Sequence, residues 1–243
     1  MTTLNSNVKM NCIIGEDRII MSFKLFIQAI LKFFLGVVLV GALIFLPAGT
    51  LNFVGGWLLM GILFVPMFCA GIVMMIKNPM LLSSRLDAKE KEKEQSIVIK
   101  LSGLMFVVGF VLAGLDFRLG WIRLPFVVNI CASIVFVIAY LVYAEVLREN
   151  TYLSRTIKVV EGQKVISTGL YGVVRHPMYF ATILLFLAMP LVLGSLISFI
   201  VFLAYPLIIA SRIKNEEEVL MRELDGYEEY KKKVKFRMIP FIW

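Results

Sequence analysis

The sequence predicts an all-α integral membrane protein of about five to six transmembrane helices, including a C-terminal helical hairpin, with a cytosolic C-terminal amphipathic tail. Three observations carry this. The 243 residues are 60% hydrophobic and only 17% charged. A soluble domain of that size cannot hide so much apolar surface, so lipid must solvate most of it. Apolar runs recur at the length a helix needs to cross roughly 30 Å of hydrocarbon. The basic residues gather between those runs, on alternate connections.

Taken in order, residues 1–24 form a polar N-terminal tail, of which 1–20 are expected to lack fixed order. Four spans follow over 25–46, 54–76, 99–117 and 124–147, making 25–147 the first membrane unit. Lys32 interrupts the first span near one end, where its stem can snorkel to the interface. Asn78-Pro79 ends the second span. The run Asp87–Glu94 alternates acids with lysines and reads as a solvated helix face. Apolar residues alternate from 157 to 166 around Glu161-Gly162, the pattern of a short β-hairpin on the membrane surface. The last apolar stretch, 179–211, is too long for one ordinary span. Met189-Pro190 and Gly194-Ser195 break it, so it is either a hairpin with its tip near 190–196 or one long kinked helix. Residues 148–243 then form a second unit of loop, hairpin and tail.

Orientation follows from lysine and arginine placement. Residues 77–98, 148–178 and the tail from Arg212 onward are rich in both, whereas 47–53 and 190–196 hold none. The alternation is clean if both termini face the cytosol, and it favours the hairpin, which returns the C-terminus to the side of 148–178. The protein is thus expected in the plasma or inner membrane of a prokaryote, or the endoplasmic reticulum of a eukaryote.

Several chemistries are excluded. The net charge of +8 is spread through inter-helix segments with no separate basic domain, which argues against nucleic acid as a partner. Cys12, Cys69 and Cys131 are isolated and there is one histidine, so neither a disulfide framework nor a metal site is expected. No glycine-rich dinucleotide loop, P-loop or Gly-x-Ser-x-Gly is present.

The tract Gly169-Leu170-Tyr171-Gly172-Val173-Val174-Arg175-His176-Pro177-Met178-Tyr179 contains that single histidine and lies at the mouth of an apolar run. Polar chemistry packed at such a boundary points to a binding site. Pro177 suits the first turn of a helix, which puts His176 at the cap and leaves N–H groups to attract a carboxylate or phosphate. Arg175 adds a cationic fork, and Tyr171 and Tyr179 add rings and hydroxyls. The plainer alternative is an interfacial anchor. Where the last helix leaves the membrane, Arg212, Glu216 and Glu217 follow one another closely. They form either a surface i,i+4 ion pair or a set that holds a cationic group with the carboxylates and an anionic one with Arg212.

These residues carry a resemblance. Arg175-His176-Pro177-Met178-Tyr179, then Glu216-Glu217-x-x-Leu220, Tyr227-x-x-Tyr230, Val234 and Ile239-Pro240, resemble the isoprenylcysteine carboxyl methyltransferase family and the related membrane phospholipid methyltransferases. Asn150–Arg155 and Gly162–Tyr171 also fit, as do Asn78-Pro79 and Arg85-Leu86. The usual Phe-Gly pair before the first tail tyrosine is here Leu224-Asp225-Gly226. The resemblance implies a membrane methyltransferase using S-adenosyl-L-methionine from the cytosol on a lipid-linked acceptor that arrives sideways from the bilayer. The acceptor is the carboxylate of a prenylcysteine-like group or a phospholipid amine. It further implies that Gly169, Leu170, Tyr171, Arg175, His176, Pro177, Tyr179 and Glu216 serve the cofactor, and that Arg212 and Glu217 lie nearest the transferred methyl. Oligomeric state is left open. Two other readings stand beside it: a sterol-type reductase using NADPH, whose tail is similar, and a non-enzymatic membrane scaffold.

Overall fold

The structure, a computed structural model, describes residues 2–86, 93–122, 124–154, 156–157 and 159–243, with side chains from residue 23 onward except 93–95. Among the described residues it is all helical, with no strand. The helices are α1 (Thr2–Ala48), α2 (Val54–Lys77), α3 (Pro79–Leu86), α4 (Lys93–Leu119), α5 (Phe126–Glu149), α6 (Pro177–Val192), α7 (Leu196–Phe202), α8 (Ala204–Glu223) and α9 (Tyr227–Lys233).

Five helical segments are long and apolar enough to cross a membrane: Phe23–Ala48, Val54–Lys77, Ser96–Leu119, Phe126–Glu149 and Leu196–Glu223. The expected all-α membrane architecture, with its C-terminal hairpin, is borne out. Apolar side chains such as Leu31, Phe34, Leu35 and Val38 on α1 are exposed, as a surface solvated by lipid allows. The core is the other face, where Ile44, Leu59, Phe136 and Phe202 are completely buried. Packing between α4 and α7 depends on Gly109. A Cβ there would lie 2.3 Å from a ring carbon of Phe202, so only glycine lets the two helices approach this closely.

The 179–211 stretch is a hairpin, not a kinked rod. Pro190 is tolerated near the end of α6, and the chain turns through 193–195, where the Leu193 N–H bonds the Met189 carbonyl. The Ser195 hydroxyl caps α7 by accepting from the Ser198 N–H (3.2 Å) and donates to Asp116 at the end of α4 (2.6 Å). The tip is thereby tied to the end of the bundle that holds the 49–53 connection, where Phe53 stacks on Phe117. The opposite end gathers α3, the 150–176 segment, the exit of α8 and the tail.

Helix α1 begins at Thr2 and so runs through the expected N-terminal tail. One expectation changes. Among the described residues the β-hairpin over 157–166 does not form. Its turn is there, with the Gln163 N–H on the Val160 carbonyl (3.0 Å), but Val159 and Val165 pack against Leu224, Tyr227, Tyr230 and Val234. Burial against α9 outcompetes a two-stranded ladder that has nothing else to cover it. Residues 87–92 of the Asp87–Glu94 run, and the side chains of the remainder, lie outside the described residues.

Candidate active site

The end of α5 builds the first wall. Glu149 accepts from the Thr168 hydroxyl (2.9 Å) and the Leu170 N–H (3.2 Å), fixing a 3₁₀ turn at Gly169–Gly172. Gly169 has φ +49, and a Cβ there would fall 2.2 Å from a Glu149 oxygen. Both the left-handed backbone and the close carboxylate demand glycine. Asn150 donates to the Tyr171 hydroxyl (3.1 Å), and the Tyr230 hydroxyl donates to the Tyr171 carbonyl (2.7 Å).

The tail forms the second wall by pairing with the His176 tract. The Arg175 N–H bonds the Phe236 carbonyl and the His176 N–H bonds the Arg237 carbonyl, at 3.0 and 2.7 Å. The Arg175 guanidinium donates to the Val234 and Lys235 carbonyls (2.6 and 2.8 Å) and to Glu217 (2.7 Å). Glu217 also meets His176 Nε2 (3.3 Å), Arg237 (3.2 Å) and Lys231 (3.8 Å) while remaining 3% exposed. Glu217 is therefore the hub that fastens tail, α8 and tract together. The cationic fork expected to meet an anion from outside is engaged within the protein.

His176 is the cap of α6, as the proline implied, yet the helix end is a weaker anion trap than its sequence suggests. Pro177 has no donor, and the N–H groups of Tyr179 and Phe180 turn back onto the His176 carbonyl (3.1 and 3.4 Å).

The third wall pairs α6 with α8. The Tyr179 hydroxyl donates to Glu216 (2.5 Å) and accepts from Arg212 Nε (2.8 Å). One phenol thus stands between an anion and a cation, and holds both at the rim of a polar cavity. Tyr171, Arg175, His176, Tyr179, Arg212 and Glu216 line that cavity. Gly169, Leu170, Pro177 and Glu217 do not line it; the first three lie in the adjoining turn and helix cap, and Glu217 is buried in its ion pairs. Residues from the 150–157 and 163–166 segments close the remaining side.

Two contributors were not assigned to the site from sequence. Glu149 ends a span and looks like an ordinary interfacial acid; only its carboxylate-to-turn bonds reveal it. Tyr227 reads as part of an amphipathic tail, but it lines the cavity, and its buried hydroxyl has no hydrogen-bond partner among the described residues. Burial pushes the phenols of Tyr171, Tyr227 and Tyr230 well above their ordinary pKa, so all three are neutral donors. A buried donor in a cavity wall is satisfied by a water or by a polar ligand group that reaches it. Among the described residues no cluster of His, Cys, Asp and Glu could hold a metal ion.

Beside this site lies a second, apolar cavity of about 510 Å³ between α1, α2, α3, α5 and α6. Phe33, Met67, Met75, Phe136 and Leu185 contribute to its lining, and Arg85 and Tyr143 stand at its polar end.

The segment carrying these walls has a recognisable pattern. Residues 127–222 match the isoprenylcysteine carboxyl methyltransferase (ICMT) family. The ICMT match starts one residue inside α5 and ends one residue before α8 does, so it contains the His176 tract and both Glu216 and Glu217. The resemblance read from the sequence is borne out, and the ICMT family implies a membrane methyltransferase dependent on S-adenosylmethionine. A search of curated proteins returns no match.

Proposed function

We propose that this chain transfers a methyl group from S-adenosylmethionine to a lipid-linked acceptor, on the cytosolic side of its membrane. The observation that carries the reading is the Arg212–Tyr179–Glu216 relay, which sets opposite charges on one cavity wall close to a second cavity of lipid character. The family match supports the chemistry, and the alternation of basic loops supports the side.

The residues present suit the cofactor. Tyr171, His176, Tyr179, Glu216 and Tyr227 would hold it, and the orphaned Tyr227 hydroxyl supplies a donor suited to a polar group such as the ribose or the amino-acid carboxylate. Bound there, S-adenosylmethionine supplies an electrophilic methyl on a positively charged sulfur. Tyrosine ring faces and the Glu216 carboxylate favour a cation in the cavity. Arg212 orients an anionic acceptor group, and its own position is fixed by Tyr179. A carboxylate acceptor is already ionised at neutral pH and needs only this positioning. An amine acceptor must lose a proton, and Glu216 is the carboxylate on the cavity wall that would receive it. Glu217, paired with Arg175, Arg237 and Lys231 and in contact with the His176 ring, serves as a positioning residue.

The test is methyl transfer itself. Purified protein in nanodiscs is incubated with a total lipid extract and methyl-radiolabelled cofactor, and labelled lipids are identified by mass spectrometry. A labelled lipid absent from the Glu216→Gln reaction supports the proposal. Label transfer no greater than without protein, with NADPH-dependent reduction of a lipid instead, contradicts it.

A further inference from the structure

Arg85 sits in the wall between the two cavities. It lines the apolar one, and its guanidinium donates to the Ser154 carbonyl (3.2 Å) and approaches the Met178 sulfur (3.9 Å), both of residues that line the polar one. A further donor meets the Tyr143 hydroxyl, and the guanidinium carbon lies 5.7 Å from the centre of that ring. Each of these partners is uncharged. Lys32 on α1 donates to the carbonyl of Leu86, the residue after Arg85 (2.6 Å), and lines the same apolar cavity. Two cations therefore line a pocket whose other side chains are apolar apart from Tyr140, Tyr143 and Thr182.

A half-buried guanidinium beside hydrocarbon is costly without an opposite charge. Its planar fork matches carboxylate and phosphate oxygens two at a time, whereas lysine supplies only a point charge. The cavity itself has room for a hydrocarbon chain. Gly71 lines it, and a Cβ added there would meet nothing within 4 Å.

We infer that Arg85, assisted by Lys32, is the anion-reading and specificity-determining residue for a lipid amphiphile. The chain of that lipid fills the α1–α2–α3–α5–α6 cavity, and its anionic oxygen head, phosphate or carboxylate, seats on the Arg85 fork as it enters, before its reacting group is oriented by Arg212. The inference deepens the proposed function and rests on its lipid-linked acceptor. It states that the acceptor is admitted by negative charge as well as by its chain.

The test uses single-chain probes on the full-length protein in neutral detergent, with binding measured by native mass spectrometry. Dodecyl phosphate and dodecanoate are compared with uncharged dodecyl maltoside. Wild type is expected to prefer at least one anionic probe by tenfold or more, and the preferred probe distinguishes phosphate from carboxylate recognition. Arg85→Gln should reduce that preference to within about twofold, Arg85→Lys should retain part of it, and Gly71→Phe should weaken all three probes together. A purely architectural Arg85 would lower thermal stability without changing the preference. Equal binding of charged and neutral probes to wild type, or an unchanged preference in Arg85→Gln, overturns the inference. Cofactor titrations run in parallel separate it from the methyltransferase reading. Anion preference without S-adenosylmethionine binding sinks that reading while the lipid site stands; cofactor binding without anion preference does the reverse.

Discussion

Arg175 and Glu217 are 42 residues apart in sequence, yet Arg175 Nε lies 2.7 Å from Glu217 Oε1 with both side chains buried. That one ion pair joins the cap of α6 to the exit of α8, and Arg175 extends the join to the Val234 and Lys235 carbonyls. The two acidic neighbours on α8 consequently differ in surroundings: Glu217 is buried among Arg175, His176 and Arg237, whereas Glu216 lines the cavity.

This difference makes Glu217→Gln and Glu216→Gln separable. Removing the Glu217 charge leaves Arg175 buried without its carboxylate, a change that costs about 3–5 kcal/mol. Glu217→Gln is expected to melt several degrees lower in detergent and to lose cofactor binding as a consequence. Glu216→Gln should melt within about two degrees of wild type and still bind cofactor at least tenfold more weakly. Thermal melts paired with binding titrations check both.

Tyr227→Phe removes a buried hydroxyl that has no partner among the described residues. Losing an unpaired donor relieves about 1–3 kcal/mol of desolvation cost, so the apo protein should be no less stable than wild type. If the hydroxyl meets the cofactor, affinity should fall roughly fivefold to tenfold. A drop in apo stability with unchanged affinity would assign the phenol to packing.

Gly169→Ala must place a methyl 2.2 Å from a Glu149 oxygen at φ +49. The expected result is a cofactor KM raised several-fold through displacement of Tyr171, with partial recovery in Gly169→Ala/Glu149→Ala. On the bundle side, Gly109→Val pushes α4 from Phe202 and should cost about 1–3 kcal/mol with little effect on KM.

Much of this was legible in the sequence. Span positions came from run length alone, because lipid leaves helices no alternative. Met189-Pro190 and Gly194-Ser195 marked a break near 190–196, and the basic-loop alternation favoured a hairpin over one kinked helix. The Arg175–Tyr179 and Arg212–Glu217 clusters were recognisable, and basic-loop alternation put them at one end. Which member of a cluster does what was not legible. Glu216 and Glu217 are adjacent and chemically identical, and only the direction each leaves α8 distinguishes them. The strand-like alternation around Glu161-Gly162 misled for a related reason: period-two burial arises as readily from packing on α9 as from a ladder.

Alkaline pH probes the tail interface. Tyr171, Tyr227 and Tyr230 have phenol pKa values raised by burial above the ordinary value of about 10. Both folded and unfolded chains are protonated below that value, so the stabilisation is complete there. Above it the unfolded chain loses protons first, and stability declines as pH climbs toward the folded values. Melting temperature should therefore fall progressively above pH 10, and less steeply in Tyr227→Phe. A flat profile from pH 9 to 11 would mean that these phenols are solvated.

The most direct measurement is calorimetric titration of S-adenosylmethionine into purified protein in nanodiscs, alongside Glu216→Gln and Tyr179→Phe. A single saturable site in wild type, weakened at least tenfold by either substitution, is the expected result. Absence of binding to folded wild type, or equal affinity in all three proteins, would contradict a cofactor pocket shared by the His176 tract and the exit of α8.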